Sequence, residues 1–196
     1  MPAVPLVVKN PYLSTWMRGR ELPNSWPTFW TGAIKGMAGM VRVNGQTYEF
    51  IGSPENDPIG SKLVAKQTGL KVTPTQSIFT LEAGPVELTV NFFTPIDPKD
   101  LKRLSLPASY IAINARSTDG GTHKIQVYLD MSAEWTSGDP KEVAEWEFHP
   151  SGGIANFNMR LKNPRVLQES NGMSYYLLSI FLTHQSTLRC GPMGNR

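Results

Sequence analysis

Thr75-Gln-Ser-Ile-Phe-Thr-Leu-Glu-Ala-Gly-Pro-Val-Glu-Leu-Thr-Val-Asn-Phe-Phe-Thr-Pro95 is the stretch that decides the fold. From Gln76 to Ala83 the residues alternate: Ser77, Phe79, Leu81 and Ala83 fall on one face, Gln76, Ile78, Thr80 and Glu82 on the other. Gly84-Pro85 interrupts the run, and Val86, Leu88, Val90 and Phe92 resume it against Glu87, Thr89 and Asn91. A period of two on both sides of a Gly-Pro turn predicts an antiparallel β-hairpin with one face in a core.

Working outward, the same period recurs. Met40, Val41 and Val43 lead through Asn44-Gly45, a strong hairpin signal, into Gln46 to Ile51. Leu63 to Val72 reads as a strand with Gly69 at a bulge, and Tyr110 to Ala115 as another with Ile111, Ile113 and Ala115 on one face. After Asp119-Gly120-Gly121, Ile125, Val127, Leu129 and Met131 alternate with polar neighbours. Trp146 and Phe148 oppose Glu145 and Glu147, and beyond Ser151-Gly152-Gly153 the pattern continues through Ala155, Phe157, Met159 and Leu161. Tyr175 to Leu182 is apolar on both faces apart from Ser179, the mark of a central strand. Short strands with turns every 8 to 12 residues predict an all-β fold, an antiparallel β-sandwich. Only the irregular tail, residues 186–196, follows so apolar a strand, which suggests a sandwich cut short.

The start reads differently. Between Met1 and Phe29, Pro2, Pro5, Pro11, Pro23 and Pro27 alternate with Tyr12, Trp16, Trp26 and Phe29. Prolines this frequent exclude a continuous helix or a central strand, so the expectation is a Pro- and aromatic-rich arm laid over another surface. The implied organisation is the arm and first hairpin over 1–60, the sandwich over 61–185 and the tail.

Composition narrows the function. The chain has 196 residues, 40% of them hydrophobic and 18% charged, enough for one domain with a real core. Nineteen basic against 16 acidic residues, spread without a run of Lys or Arg, argue against a nucleic-acid partner. No apolar run approaches the roughly 20 residues of a membrane helix. Met1 to Lys9 lacks the charged-then-apolar layout of a secretion signal. Taken literally that start keeps the chain in the cytoplasm, although a removed signal leaves the same start. Cys190 is the lone cysteine, which excludes an internal disulfide, and it reads as an unpaired thiol near a loose terminus.

Chemistry-bearing motifs are sparse. Thr31-Gly-Ala-Ile-Lys-Gly-Met-Ala-Gly-Met40 holds three glycines but no phosphate-loop spacing, and close approach of strands is the favoured reading. His123, His149 and His184 are far apart with no Cys or carboxylate at ligand spacing, so no metal site is expected. Asp130 and Glu134, beside Trp135 at the end of a strand, have the residue types of an acid/base pair in a cleft; the blander alternative is the edge of a solvated loop. Tyr12, Trp16, Trp26 and Trp30 offer flat surfaces for stacking a ligand or docking another domain.

Longer runs carry a resemblance. Pro5-Leu-Val-Val-Lys-Asn-Pro-Tyr-Leu-Ser-Thr-Trp16, Trp26-Pro-Thr-Phe-Trp-Thr-Gly-Ala-Ile-Lys-Gly-Met-Ala-Gly-Met40, Thr75-Gln-Ser-Ile-Phe79, Gly84-Pro-Val-Glu-Leu-Thr-Val90, Asp97-Pro-Lys-Asp100 and Ala115-Arg-Ser-Thr-Asp-Gly-Gly121 occur in order. From about Pro5 to His184 the chain resembles the N-terminal part of the fungal glutaminase A family. The resemblance implies a secreted hydrolase that converts L-glutamine to L-glutamate and ammonia without a cofactor, its N-terminal β-sandwich joined to a C-terminal helical toroid with most of the catalytic groups. No catalytic residue transfers to this chain, which holds no helical half. The implied role is a scaffold, inactive alone, whose partner is the catalytic domain; a stand-alone ligand- or carbohydrate-binding module is the alternative. An arm at the seam between sandwich and toroid predicts that Trp16, Trp26 and Trp30 are partly exposed in this chain alone.

Overall fold

The computed structural model describes residues 3–54, 62–137, 139, 141–152, 154–165, 168–170, 173–174 and 178–183. Its architecture is all-β: among the described residues the named strands pair antiparallel except at one short strand, and there is one five-residue helix, α1 (Leu101–Ser105). Asp100 caps that helix by accepting a hydrogen bond from the Arg103 backbone N–H at 3.0 Å.

The hairpin read first is β7 (Gln76–Ala83) and β8 (Val86–Phe93), in unbroken register from Gln76 opposite Phe93 to Ala83 opposite Val86. Its two-residue loop needs a positive φ at the first position, and Gly84 supplies +62°. The alternation sorts as expected: Ser77, Phe79, Leu81 and Ala83 are buried with Val86, Leu88, Val90 and Phe92. β6 (Lys66–Val72) and β9 (Tyr110–Ser117) flank the hairpin in a four-stranded sheet of order β6-β7-β8-β9. The register of β6 slips between Gln67 and Gly69, where the bulge was expected.

A second sheet runs β10-β3-β4-β5, from β3 (Met37–Val43), β4 (Gln46–Ile51), β5 (Leu63–Val64) and β10 (Ile125–Met131). Asn44 at φ +50° and Gly45 at φ +95° make the predicted turn between β3 and β4. The two sheets share one core: Val41, Val43, Phe50 and Ile51 from this sheet cluster with Phe79, Leu81, Leu88, Val90 and Phe92 from the other. Burying such side chains contributes about 1.5–3 kcal/mol each, the main force holding the sandwich closed.

Close approach explains one glycine. Opposite Gly39 the register slips, and Phe50 and Ile51 are both fully buried there. A Cβ on Gly39 would come within 2.3 Å of Ile51 Cγ2 and 2.6 Å of Phe50 Cζ. Gly39→Ala is expected to cost about 1–3 kcal/mol in chemical denaturation by overpacking. An unchanged midpoint would show that the core opens there easily.

The arm is more structured than its prolines suggested. β1 (Ala3–Val7) pairs antiparallel with β2 (Thr15–Arg18), and Val4, Leu6 and Met17 belong to the shared core. Pro5 is tolerated because it borders the slip between Pro5 and Val7, where a missing N–H interrupts little. After β2 the chain folds back: Trp16 and Thr28 exchange backbone hydrogen bonds of 2.8 Å in both directions, and the Lys35 N–H donates to Pro27 O at 2.9 Å.

A third sheet has the order β11-β12-β15, from β11 (Ala144–Ser151), β12 (Ile154–Leu161) and β15 (Leu178–Thr183). β13 (Glu169–Ser170) and β14 (Met173–Ser174) form a separate short pair. The sequence gives β15 the look of a central strand, yet among the described residues it pairs with β12 alone. Alternation and polarity report on faces, not on which edge of a strand finds a partner. Residues 175–177, His184 and the tail with Cys190 lie outside the described residues.

Candidate functional site

β10 ends at Met131, and a 3-10 turn (Ala133–Trp135) carries the chain away from it. Trp135 is 3% exposed and its indole N–H donates to Gly36 O at 2.9 Å. That anchor fixes the turn against the segment leading into β3, while Asp130 is exposed and Glu134 half-buried. Gly36 O also accepts from the Ser132 backbone N–H at 3.0 Å. The approach is close: a Cβ on Gly36 would lie 2.5 Å from Ser132 Oγ and 2.9 Å from Glu134 Oε2, so a larger residue would displace those side chains.

Between these segments opens a cleft of about 450 Å³, whose lining includes Trp26, Ile34, Asp130, Met131, Ser132 and Glu134. Asp130 Oδ1 accepts from the Ala38 N–H at 3.3 Å and Oδ2 from the Tyr128 hydroxyl at 2.7 Å. Glu134 Oε2 accepts from the Gly36 N–H at 3.3 Å and from the Ser132 hydroxyl. Trp26 reaches the cleft because Pro23 and Ser25 both bridge to Gly52. Gly52 itself has φ +93°, and a Cβ there would lie 2.8 Å from Met37 O and 3.2 Å from the Trp26 ring.

Lys35 lies behind the cleft, 2% exposed. Its Nζ donates to the Glu134 backbone carbonyl at 2.6 Å and lies 5.5 Å from the centre of the Phe29 ring. Burial lowers its pKa from 10.5 to about 8, and the Glu134 carboxylate partly opposes that shift. Periodicity gives no hint of this, since a lysine in a Gly-rich stretch reads as solvated.

The structure thus brings together three of the residues singled out from sequence, Trp26, Asp130 and Glu134. An indole face beside two carboxylates can receive a polar or cationic ligand. The other aromatics do not line the cleft. Tyr12 and Trp16 are half-buried, with the Trp16 indole nitrogen enclosed and unpartnered, and Trp30 is 64% exposed with its ring 5.5 Å from that of Phe29. The expected partial exposure of Trp16, Trp26 and Trp30 is therefore met.

A second polar network was not legible beforehand. His123, 8% exposed at the start of β10, donates from Nε2 to Asp119 Oδ1 at 2.8 Å. Its Nδ1 lies 2.9 Å from the Asn44 side-chain amide nitrogen. The Gly121 N–H above all, then His123 and Ser117, hold the Asp119 carboxyl down at about 2. This network ties the Asn44-Gly45 turn to the Asp119-Gly120-Gly121 turn. Among the described residues no three His, Cys, Asp or Glu side chains converge as metal ligands, and no helix is long and apolar enough to cross a membrane.

Comparison with known proteins follows the same lines. Residues 75–192 match a domain of unknown function, DUF5127, and residues 1–58 match another, DUF4964. Glutaminase A of Aspergillus oryzae is 45% identical over 155 residues, covering 75% of this chain and 22% of its own. A probable glutaminase of Arthroderma benhamiae is 37% identical over 158 residues, covering 74% of this chain and 18% of its own. The chain therefore spans about a fifth of the length of these curated relatives. No solved structure matches. With the DUF5127 match extending over more than half of its residues, the chain belongs to that family, as a glutaminase-like member similar to a limited region of fungal glutaminase A.

Proposed function

We propose that this chain is the N-terminal β-sandwich portion of a glutaminase-like amidohydrolase and acts as the scaffold on which a separate catalytic region is held. In the parent protein the reaction is hydrolysis of L-glutamine to L-glutamate and ammonia, without a cofactor and outside the cell. The observation that carries this reading is 45% identity to Aspergillus oryzae glutaminase A over a segment that is only 22% of that protein. The exposed Trp30 and half-buried Trp16 and Trp26 support it, since aromatics at a seam stay partly uncovered when the partner is absent.

Ammonia release from L-glutamine tests the division of labour. The purified chain is expected to release none, whereas native protein from the source organism, heavier than this chain in an intact-mass measurement, is expected to be active. Release by the chain alone, abolished in Glu134→Gln, would move catalysis into the sandwich.

The cleft favours one second reading, a ligand- or carbohydrate-binding module. A ligand stacked on Trp26 would quench its fluorescence, and Trp26→Ala would remove the quenching. No saturable quenching by a panel of oligosaccharides would count against that reading.

A further inference from the structure

β11 and β12 are two-faced in step. Ala144 pairs with Leu161, Trp146 with Met159 and Phe148 with Phe157, so the apolar residues of both strands share one face. On the other face Arg160 Nη2 lies 3.9 Å from Glu145 and 3.8 Å from Glu147, and the His149 ring lies 3.1 Å from Glu147. That charged face is built for water.

The apolar face is covered at one end only. Leu161 is 2% exposed, and Met159 packs against the sandwich core. Further along, the cover stops: Trp146 is 71% exposed and Phe148 47%, although the Phe148 ring lies 4.7 Å from that of Phe157. A single exposed aromatic is ordinary, but an aromatic row that continues a core face beyond its covering layer marks an interaction surface.

We propose that the Trp146–Phe148 face is the docking surface for the part of a glutaminase-like polypeptide that this chain does not span, and that an apolar layer of that part continues the core beyond Leu161. Two observations identify the occupant. Some four-fifths of the related Aspergillus oryzae protein lies outside the matched segment, which supplies polypeptide enough for such a layer. The face is also continuous with this chain's own core through Met159, which packs against that core, as expected of one layer shared within a domain. The assignment rests on the scaffold reading given above.

The test uses Aspergillus oryzae glutaminase A in which the whole of this chain replaces the segment it matches, beside the chain alone. In the chain alone, Trp146→Ser with Phe148→Ser is expected to lower the thermal midpoint only slightly, because Trp146 already faces water and Phe148 loses little beyond its ring contact with Phe157. In the chimera the same pair is expected to lower the midpoint by several degrees, because there it opens a filled contact. An active chimera whose midpoint ignores the substitutions overturns the docking face and leaves the scaffold reading standing. A chimera that cannot hydrolyse glutamine overturns both. A dimer of the isolated chain that the double variant dissolves gives the face to a second copy and overturns the proposed occupant.

Discussion

Phe79→Ala is expected to destabilise the chain by about 3–5 kcal/mol. Phe79 is fully buried at the centre of the β7–β8 hairpin, and its ring meets that of Phe92 edge-on, with centroids 6.0 Å apart and planes at 85°. Truncation removes the transfer free energy of the ring, leaves a cavity between two sheets that cannot close on it, and deletes an aromatic pair worth roughly 0.5–1.5 kcal/mol beyond its buried area. Against a total stability of about 5–15 kcal/mol, that loss is a large fraction. Urea denaturation should show a much lower midpoint with the slope retained, because the folded architecture is unchanged. A loss below about 1 kcal/mol would mean that the sheets collapse into the space, and that the core is not set by this hairpin.

The second large effect depends on pH. Lys35 has a folded pKa of about 8 against 10.5 when free, so between these values the folded chain binds fewer protons than the unfolded one. Stability therefore rises with pH through that window, by about 1.4 kcal/mol per unit and about 3 kcal/mol in all. Below pH 8 both states carry the proton, and the full cost of burying the ammonium is felt. Lys35→Met carries no titrating group, so subtracting its profile from that of the wild type isolates the effect from the other lysines and the tyrosines. A difference profile that is flat from pH 8 to 10.5 would show that Lys35 reaches water in solution. The Nζ contact with the Glu134 carbonyl makes the same variant a probe of the cleft wall.

These two residues illustrate how differently the sequence speaks about core and site. The burial of Phe79 could be read directly, because period-two alternation is a property of the strand itself and needs no knowledge of its partners. The turns at Gly84-Pro85 and Asn44-Gly45 were legible for the same reason, each resting on a φ that only a few residues adopt without strain. The crowding at Gly39 was half legible: small residues announced a close approach but not which side chains fill the space.

Lys35 was not legible, since what buries it is the 3-10 turn at Ala133–Trp135, some hundred residues away in the chain. The cleft shares that difficulty. Asp130 and Glu134 stood out as neighbours in sequence, and Trp26 as one aromatic of a proline-rich arm, but nothing in either stretch refers to the other. The arm itself defeated local reasoning, because Pro5 forbids regular pairing at one position and the register slip that accommodates it depends on the partner strand.

The sequence by itself determined the hairpins, the inward faces of β7, β8 and β9, and kinship with fungal glutaminase A. Each of these is written within a few residues or in a continuous run of matches. Tertiary structure alone decided that Val4, Leu6 and Met17 join the core, that Lys35 is buried behind Glu134, and that Trp26 meets two carboxylates across a cleft. It also decided where the aromatic face of β11 and β12 loses its cover. The reason is the same in each case: burial and proximity between distant segments follow from how sheets stack, and a pattern of period two fixes which face a residue takes but not what that face meets.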